Sequence, residues 1–299
     1  MLFSATDRLY HTTSKVFQIV ECKACRLIRL EPRPSKEELP RYYPNQYWFQ
    51  PDGMAGRLEE MYRRLVLRDH IAFVRQALAN SDGAGHIVDV GCGNGLLLSM
   101  LPWRNVLGLD FSQKALSVAW KQNGVPGACA DLANAPLPHS SCSLITMFHV
   151  VEHLPHPVEY LSAARELLTP GGRLVIQVPN ASCWQFLFFG DKWNGIDVPR
   201  HLFNYRQRDL ENLLDFCGFE VMRRKHFSLR DNPAGMATSI APELDPMARR
   251  VRQVREYPAM RLLKDAVYFG LTLASIPFTI IEAACGCGST IMVEARKKA

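Results

Sequence analysis

The stretch that decides the fold is His86-Ile-Val-Asp89-Val-Gly91-Cys-Gly93-Asn-Gly95-Leu-Leu-Leu-Ser-Met-Leu101. His86–Val90 is a short apolar strand, three glycines follow at alternate positions, and Leu96–Leu101 then opens a helix. A strand that runs through glycines into a helix can bring backbone N–H groups close to a ligand, because glycine accepts φ > 0 and carries no Cβ. Two acids follow at the ends of the next expected strands, Asp110 after Asn105–Leu109 and Asp131 after Gly127–Ala130. A carboxylate at the first position can accept both hydroxyls of a ribose. One at the second can accept from an adenine amino group. Glycines that merely permit a tight turn would explain the loop alone, but not the two acids at successive strand ends.

Working outward, the alternation continues. Ser112–Asn123 is a helix with Ser112 as N-cap, Ser143–Phe148 a strand, and Val158–Leu168 a helix stopped by Pro170-Gly171-Gly172. Strand Arg173–Val178, helix Gln207–Cys217, strand Phe219–Lys225 and strand Thr290–Ala295 complete it. This is an α/β pattern of seven mostly parallel strands with helices on both faces and the ligand edge at the strand C-termini. Upstream, Leu58, Met61, Leu65, Ile71, Val74 and Leu78 recur at helical spacing and predict one amphipathic helix over 56–79. The expected division is an N-terminal Cys-x-x-Cys and aromatic segment (1–55), the sheet domain (56–227 and 289–299), and a helical insertion or lid (228–288).

The 299 residues are 47% hydrophobic and 21% charged, an ordinary globular balance that excludes extensive disorder. The net charge of +6 is spread along the chain, so no nucleic-acid partner is expected. Nine cysteines, an odd number, and an N-terminus without a basic-then-apolar leader predict a reducing, cytoplasmic setting. Ala266–Ile281 is an uncharged run interrupted by Pro277. It is shorter than the ~20 residues a spanning helix needs. It reads first as a buried or substrate-covering helix, and second as a peripheral membrane contact through 258–285.

Together these motifs resemble the class I S-adenosylmethionine-dependent methyltransferases. The resemblance rests on Asp89–Gly95, Asp110, Asp131, Phe148-His149-Val-Val-Glu152-His153-Leu154, and Leu168-Thr-Pro170-Gly171-Gly172. It covers about 87–225 and the final strand, and implies a Rossmann-like sheet whose last strand is antiparallel. It also implies S-adenosylmethionine as cofactor, with Gly91 and Gly93 at the methionine part, Asp110 at the ribose and Asp131 with Leu132 at the adenine. Asp89, Gly95, Phe111 and Phe148 are further cofactor-binding candidates, Asp89 as a carboxylate that would help hold a ligand's ammonium. The flanks Cys22-Lys-Ala-Cys25, Tyr42-Tyr43-Pro44 through Tyr47, and Pro199-Arg200-His201-Leu202-Phe203 look like bacterial methyltransferases of the type 23 group. Members of that group often carry an N-terminal zinc-binding segment with two Cys-x-x-Cys pairs. Only one pair stands here, so Cys22 and Cys25 supply two of the four ligands zinc needs, and His11 is the one nearby third candidate.

The expected reaction is methyl transfer to oxygen or carbon of a small or lipid-like acceptor. A base would add ~10²–10⁴-fold. His149, His153 and His201 are the candidates. His149, Glu152 and His153 could share one face, as a base, a divalent-metal site or a loop anchor. Arg200 could pair with an acidic acceptor, and Tyr42, Tyr43 and Tyr47 either close over the cofactor or pack the N-terminal segment. Cys92 reads as packing. The competing enzyme is an NAD(P)-dependent oxidoreductase, whose Gly-x-Gly-x-x-Gly would place a glycine where Leu96 stands and whose pyrophosphate Asp89 would repel. The non-enzymatic alternative is a cofactor-binding scaffold whose apolar insertion docks on a partner or membrane.

Overall fold

The computed structural model describes residues 1–35, 37–44, 47, 53–81, 85–103 and 105–298, with backbone only for 53–58. The strands are β1 (Phe3–Ala5), β2 (Phe17–Glu21), β3 (Ile28–Glu31), β4 (His86–Val90), β5 (Val106–Leu109), β6 (Gly127–Ala128), β7 (Cys142–Phe148), β8 (Leu168–Pro179), β9 (Phe203–Asn204), β10 (Phe219–Lys225) and β11 (Thr290–Lys297). The helices are α1 (Gly53–Val66), α2 (Arg68–Ala79), α3 (Leu96–Ser99), α4 (Gln113–Asn123), α5 (Pro157–Leu167), α6 (Trp184–Phe189), α7 (Gln207–Phe216), α8 (Asn232–Ile240), α9 (Pro246–Val251) and α10 (Pro258–Ala284).

The chain forms two compact units. One contains Trp48–Val178, Arg208–Lys225 and Met292–Ala299; the other contains Met1–Tyr47, Pro179–Gln207 and His226–Ile291. The three-part division expected from the sequence is therefore regrouped. Residues 1–47 do not stand apart: β3 pairs with β9, Ile28 opposite Asn204, so the N-terminal strands share a four-stranded sheet with the segment after β8. Trp48 and Phe49 of the expected aromatic cluster lie outside the described residues.

The sheet unit carries seven strands in the order β10-β11-β8-β7-β4-β5-β6, the fold class expected. β4 pairs parallel with β5 and β7, β5 with β6, and β7 with β8, while β11 pairs antiparallel with β10. Consecutive residues of a strand point to opposite faces. Ile87, Val88, Asp89 and Val90 of β4 are all buried, as are Cys142–Met147 of β7, so both sheet faces are covered. The core joins Ile87 and Leu144 to Val74 and Leu78 of α2, Leu97 and Leu98 of α3, and Ala119 of α4. Local chemistry sets the helix ends. Ser112 Oγ accepts from Ala115 N at 3.2 Å to start α4, and Gly124, at φ +64°, ends it.

Two expectations need correction. The helix over 56–79 is two helices that meet at Leu67. α2 buries Ile71, Val74 and Leu78, whereas Met61 and Leu65 of α1 are exposed, so no single apolar stripe runs through both. Nor do Pro170-Gly171-Gly172 follow the helix as a free stop, since β8 begins at Leu168. Cys142 pairs with Leu168 and Leu144 with Arg173, so the intervening residues bulge out of the ladder.

In the other unit, β1, β2, β3 and β9 form an antiparallel sheet. α8, α9 and α10 lie within 228–288.

Candidate active site

The site is built at the edge where the parallel strands β4, β5, β6 and β7 all end. Gly91, Gly93 and Gly95 have φ of +70°, +54° and +72°, the left-handed region that costs an L-residue ~1–2 kcal/mol. They serve two different ends. A Cβ at Gly91 would sit 2.7 Å from Val150 Cγ2, and one at Gly95 3.0–3.2 Å from Val125 and Ala119, so these two glycines let protein pack on protein. A Cβ at Gly93 would meet nothing within 4 Å, so this position faces open space.

The loop's donors are mostly spent internally, which corrects the expectation that they serve a ligand. Gly91 N and Cys92 N donate to Leu109 O, Gly95 N to Cys92 O, and Gly93 N to Asp110 Oδ2 at 2.9 Å. What the loop presents outward is bare backbone at Gly93. Asp110 is 3% exposed, and its other oxygen accepts from Ser112 N at 2.8 Å. One carboxylate thus ties the glycine loop to the start of α4. A carboxylate has about four lone-pair sites, so with the N–H groups of Gly93, Ser112 and Phe111 bonded to it about one remains for a hydroxyl group. Burial pushes the Asp110 pKa up, and the N–H groups of Ser112, Gly93 and Phe111 oppose that by stabilising the anion.

The remaining expected cofactor residues fall into place unevenly. Phe111 follows Asp110 and is largely exposed. Asp131 is exposed and caps a short 3₁₀ turn, accepting from Asn134 N at 2.9 Å. The Leu132 side chain beside it is buried in the protein. Asp89 is buried, and its Oδ1 accepts from Thr146 Oγ1 of β7 at 2.6 Å, bracing β4 against β7. Phe148 packs against the core with its ring 5.2 Å from that of His70. Cys92 is packing, as expected: its Sγ lies where a Cβ on Gly108 would be, 2.5 Å away, and burial with Asp89 and Asp110 nearby raises its pKa.

His149 follows β7 at φ +56°. Its Nδ1 lies 3.2 Å from Glu152 Oε1 and its Nε2 2.8 Å from the Gln177 side-chain amide, while its N–H donates to Gln177 O. With both ring nitrogens engaged, it holds β7, β8 and the turn Val151–His153 together. Sequence reasoning missed Gln177 and Thr146. Their one signal is a polar residue inside an otherwise apolar strand, at positions no water reaches (0% exposed each). His153 ends the same turn, half-buried.

His201 and Arg200 belong to the other unit. His201 Nδ1 lies 2.8 Å from Gly195 O, and a carbonyl only accepts, so Nδ1 carries a proton, while Nε2 lies 3.9 Å from Asp197 Oδ2. Arg200 is not available to an acceptor. It is fully buried, bonded to both oxygens of Asp7 and of Asp197 and to Tyr42 O, and stacked 4.3 Å over the Tyr10 ring. The tyrosines take the packing role: Tyr42 is buried, and Tyr47 meets the rings of Tyr43 and Tyr10 at 5.2 and 5.7 Å. Cys22 and Cys25 sit on the turn between β2 and β3. Bonds from the Cys25 and Ala24 backbone hold the Cys22 thiol down at about 7. Among the described residues no third potential ligand joins this pair, so a four-ligand zinc site does not fit.

Comparison with known proteins fits this geometry. A type 23 family model described as a methyltransferase domain matches residues 59–223, more than half of the chain. A probable S-adenosylmethionine-dependent methyltransferase of Mycolicibacterium smegmatis is 28% identical over 196 residues, 64% of this chain and 66% of that one. The ubiquinone biosynthesis O-methyltransferase of Coxiella burnetii (strain Dugway 5J108-111) is 27% identical over 161 residues, 51% of this chain and 66% of that one. The chain thus spans about two thirds of the length of both relatives. Among solved structures, the geranyl diphosphate C-methyltransferase of Streptomyces coelicolor A3(2), in complex with Mg2+, geranyl diphosphate and S-adenosyl-L-homocysteine, superposes with a TM-score of 0.54. It is 13% identical, with 89% of this chain and 99% of that one covered, and shows the shared fold.

Proposed function

The chain belongs to the methyltransferase-domain family of class I S-adenosylmethionine-dependent enzymes, and from that premise we propose that it methylates an oxygen or carbon of a small, apolar or lipid-like acceptor. The observation that carries this reading is the Asp110 carboxylate. It joins Gly93 N to Ser112 N beside the one glycine of the loop that faces open space, with a lone pair to spare for a ribose hydroxyl. The family match sets the dinucleotide reading aside.

The residues present fit the cofactor. Gly93 leaves room against the backbone, where a side chain would fill it. Asp110 and Phe111 would hold the ribose, Asp131 and the backbone of Leu132 the adenine, and Gly91, Gly93 and Asp89 the methionine end. Phe148, packed on His70, is better read as support for this edge. When bound, the sulfonium supplies an electrophilic methyl group.

The protein's own work is to align the acceptor, exclude water and accept a proton. His149, clamped by Glu152 and Gln177, positions the loop after β7. His149, His153 and His201 are the base candidates, and His201, whose Nδ1–H is fixed on Gly195 O, is the one tested below against His149. The ubiquinone biosynthesis relative supports an apolar acceptor and transfer to oxygen. All nine cysteines are free thiols, which supports a reducing, cytoplasmic setting.

The test is equilibrium binding. The full chain should bind S-adenosylmethionine and S-adenosylhomocysteine by calorimetry, with affinity lost in Asp110→Asn. A folded sample that binds neither at millimolar concentration overturns the reading.

A further inference from the structure

α10 is built inside out. Its buried residues are Thr272, Ser275, Thr279 and Glu282, spaced 3, 4 and 3 apart and all polar. The three hydroxyls donate to backbone carbonyls of their own helix, and Glu282 accepts from the backbone N–H and the side-chain amide of Gln185. The opposite face carries Leu262, Val267, Phe269, Leu273, Ile280 and Ile281, each between 45% and 71% exposed. From Ala266 to Ile281 that face holds no charge. Leu187 and Phe188 of α6 extend it, exposed by 77% and 66%, with the Phe188 ring 6.2 Å from that of Phe278. A helix in water points its apolar stripe inward; this one does the reverse.

We propose that this face of α10 docks on an anionic lipid bilayer, lying in the interface with its apolar side chains among the acyl chains. Two further observations select that occupant. A protein partner would ask for a hydrogen bond about every 100–200 Å², and the side chains that could supply one, Thr272, Ser275, Thr279 and Tyr268, are turned inward. The N-terminal approach to the helix has a modest cationic excess: between 243 and 265 six Arg and Lys stand against Glu243, Asp245, Glu256 and Asp265, and Arg249, Lys264 and Arg252 are ion-paired with Glu256, Asp265 and Glu243. Arg255 and Arg261 are exposed there, beside Tyr257 at 85% exposure, an aromatic of the kind that sits at headgroup level.

By length and composition α10 could cross a membrane. Its inner face keeps it on the surface. The Tyr268 hydroxyl is bonded to Thr238 at 2.8 Å, and Glu282 to Gln185 at 2.8–2.9 Å, bonds that tie it to α8 and α6. Crossing would carry those polar groups into hydrocarbon.

The test is flotation of the full chain with vesicles of phosphatidylcholine alone and with vesicles containing one third phosphatidylglycerol. The chain should float with the second and weakly with the first. Leu273→Asp with Ile280→Asp, both on the exposed face, should abolish flotation while circular dichroism and S-adenosylhomocysteine binding stay unchanged. Arg255→Ala and Arg261→Ala should each weaken binding to the anionic vesicles about fivefold, and added salt should do the same. The proposal is overturned if the wild-type chain stays at the bottom with anionic vesicles, or if the acidic double variant floats as well as wild type. It is equally overturned if size-exclusion shows a dimer that the double variant dissolves while no form floats, which would give the face to a second copy.

Discussion

In the sheet unit, the site carboxylates accept from groups close by in the fold and often in the chain: Asp131 from Asn134, and Asp110 from Ser112 and Gly93. In the other unit, buried carboxylates combine near partners, Tyr10 and Thr12 for Asp7, with partners far away in sequence. Asp7 is bound by Arg200, 193 residues on, and Glu282 by Gln185, 97 residues back. The first arrangement leaves lone pairs at an open edge and serves a ligand. The second uses up its lone pairs inside the unit and serves assembly of three separate chain segments. The lesson is that a charged residue beside a motif is a ligand contact only if the fold has not already spent it.

Removing a spent charge should hurt most. Arg200→Met leaves Asp7 and Asp197 without their cation in a dry site, and should lower unfolding stability by about 3–5 kcal/mol, read from the first transition in urea. A loss near zero would mean the two carboxylates are not buried as described. Next comes the base. His201→Asn should cut turnover about 10²-fold with S-adenosylhomocysteine affinity unchanged. His149→Asn, removing a clamp between Glu152 and Gln177, should cost less turnover and more stability. If His149→Asn loses the more turnover, the roles are reversed.

Asp110→Asn keeps the size but forfeits the charge that accepts from two N–H groups, and should weaken S-adenosylhomocysteine binding by about 1.5–3 kcal/mol in calorimetry. The smallest and sharpest pair is in the loop. Both Gly93→Ala and Gly95→Ala carry the left-handed backbone cost of ~1–2 kcal/mol in thermal unfolding. Gly93→Ala should also weaken the ligand, because its Cβ enters open space, whereas Gly95→Ala should add a further stability loss against Val125 and Ala119. Equal effects of the two on binding would break the distinction between a ligand-facing and a packing glycine.

The parts legible in the sequence were those carried by short-range pattern. Strand β4, the glycine loop, Ser112 as a cap and the acids at two strand ends are each specified within a few residues. The spacing of seven strands then fixes the sheet. Arg200 and the tyrosines lay beside recognisable motifs and still had to be placed by packing, since nothing near Arg200 in the chain announces Asp7 as its partner. Gln177 was invisible for the same reason, its meaning depending on His149 just after the neighbouring strand.

The amino-acid order by itself determined the parallel sheet, its ligand edge and the cofactor class, because hydrophobic period, glycine freedom and acid spacing act locally along the chain. Folding decided which polar groups are consumed and which are offered. It put Arg200 out of reach, set the His201 Nδ1–H on Gly195 O, and turned the hydroxyls of α10 inward and its leucines outward. Those outcomes depend on how segments pack on one another, and a pairing such as that of Arg200 with Asp7, 193 residues away, leaves no periodic trace.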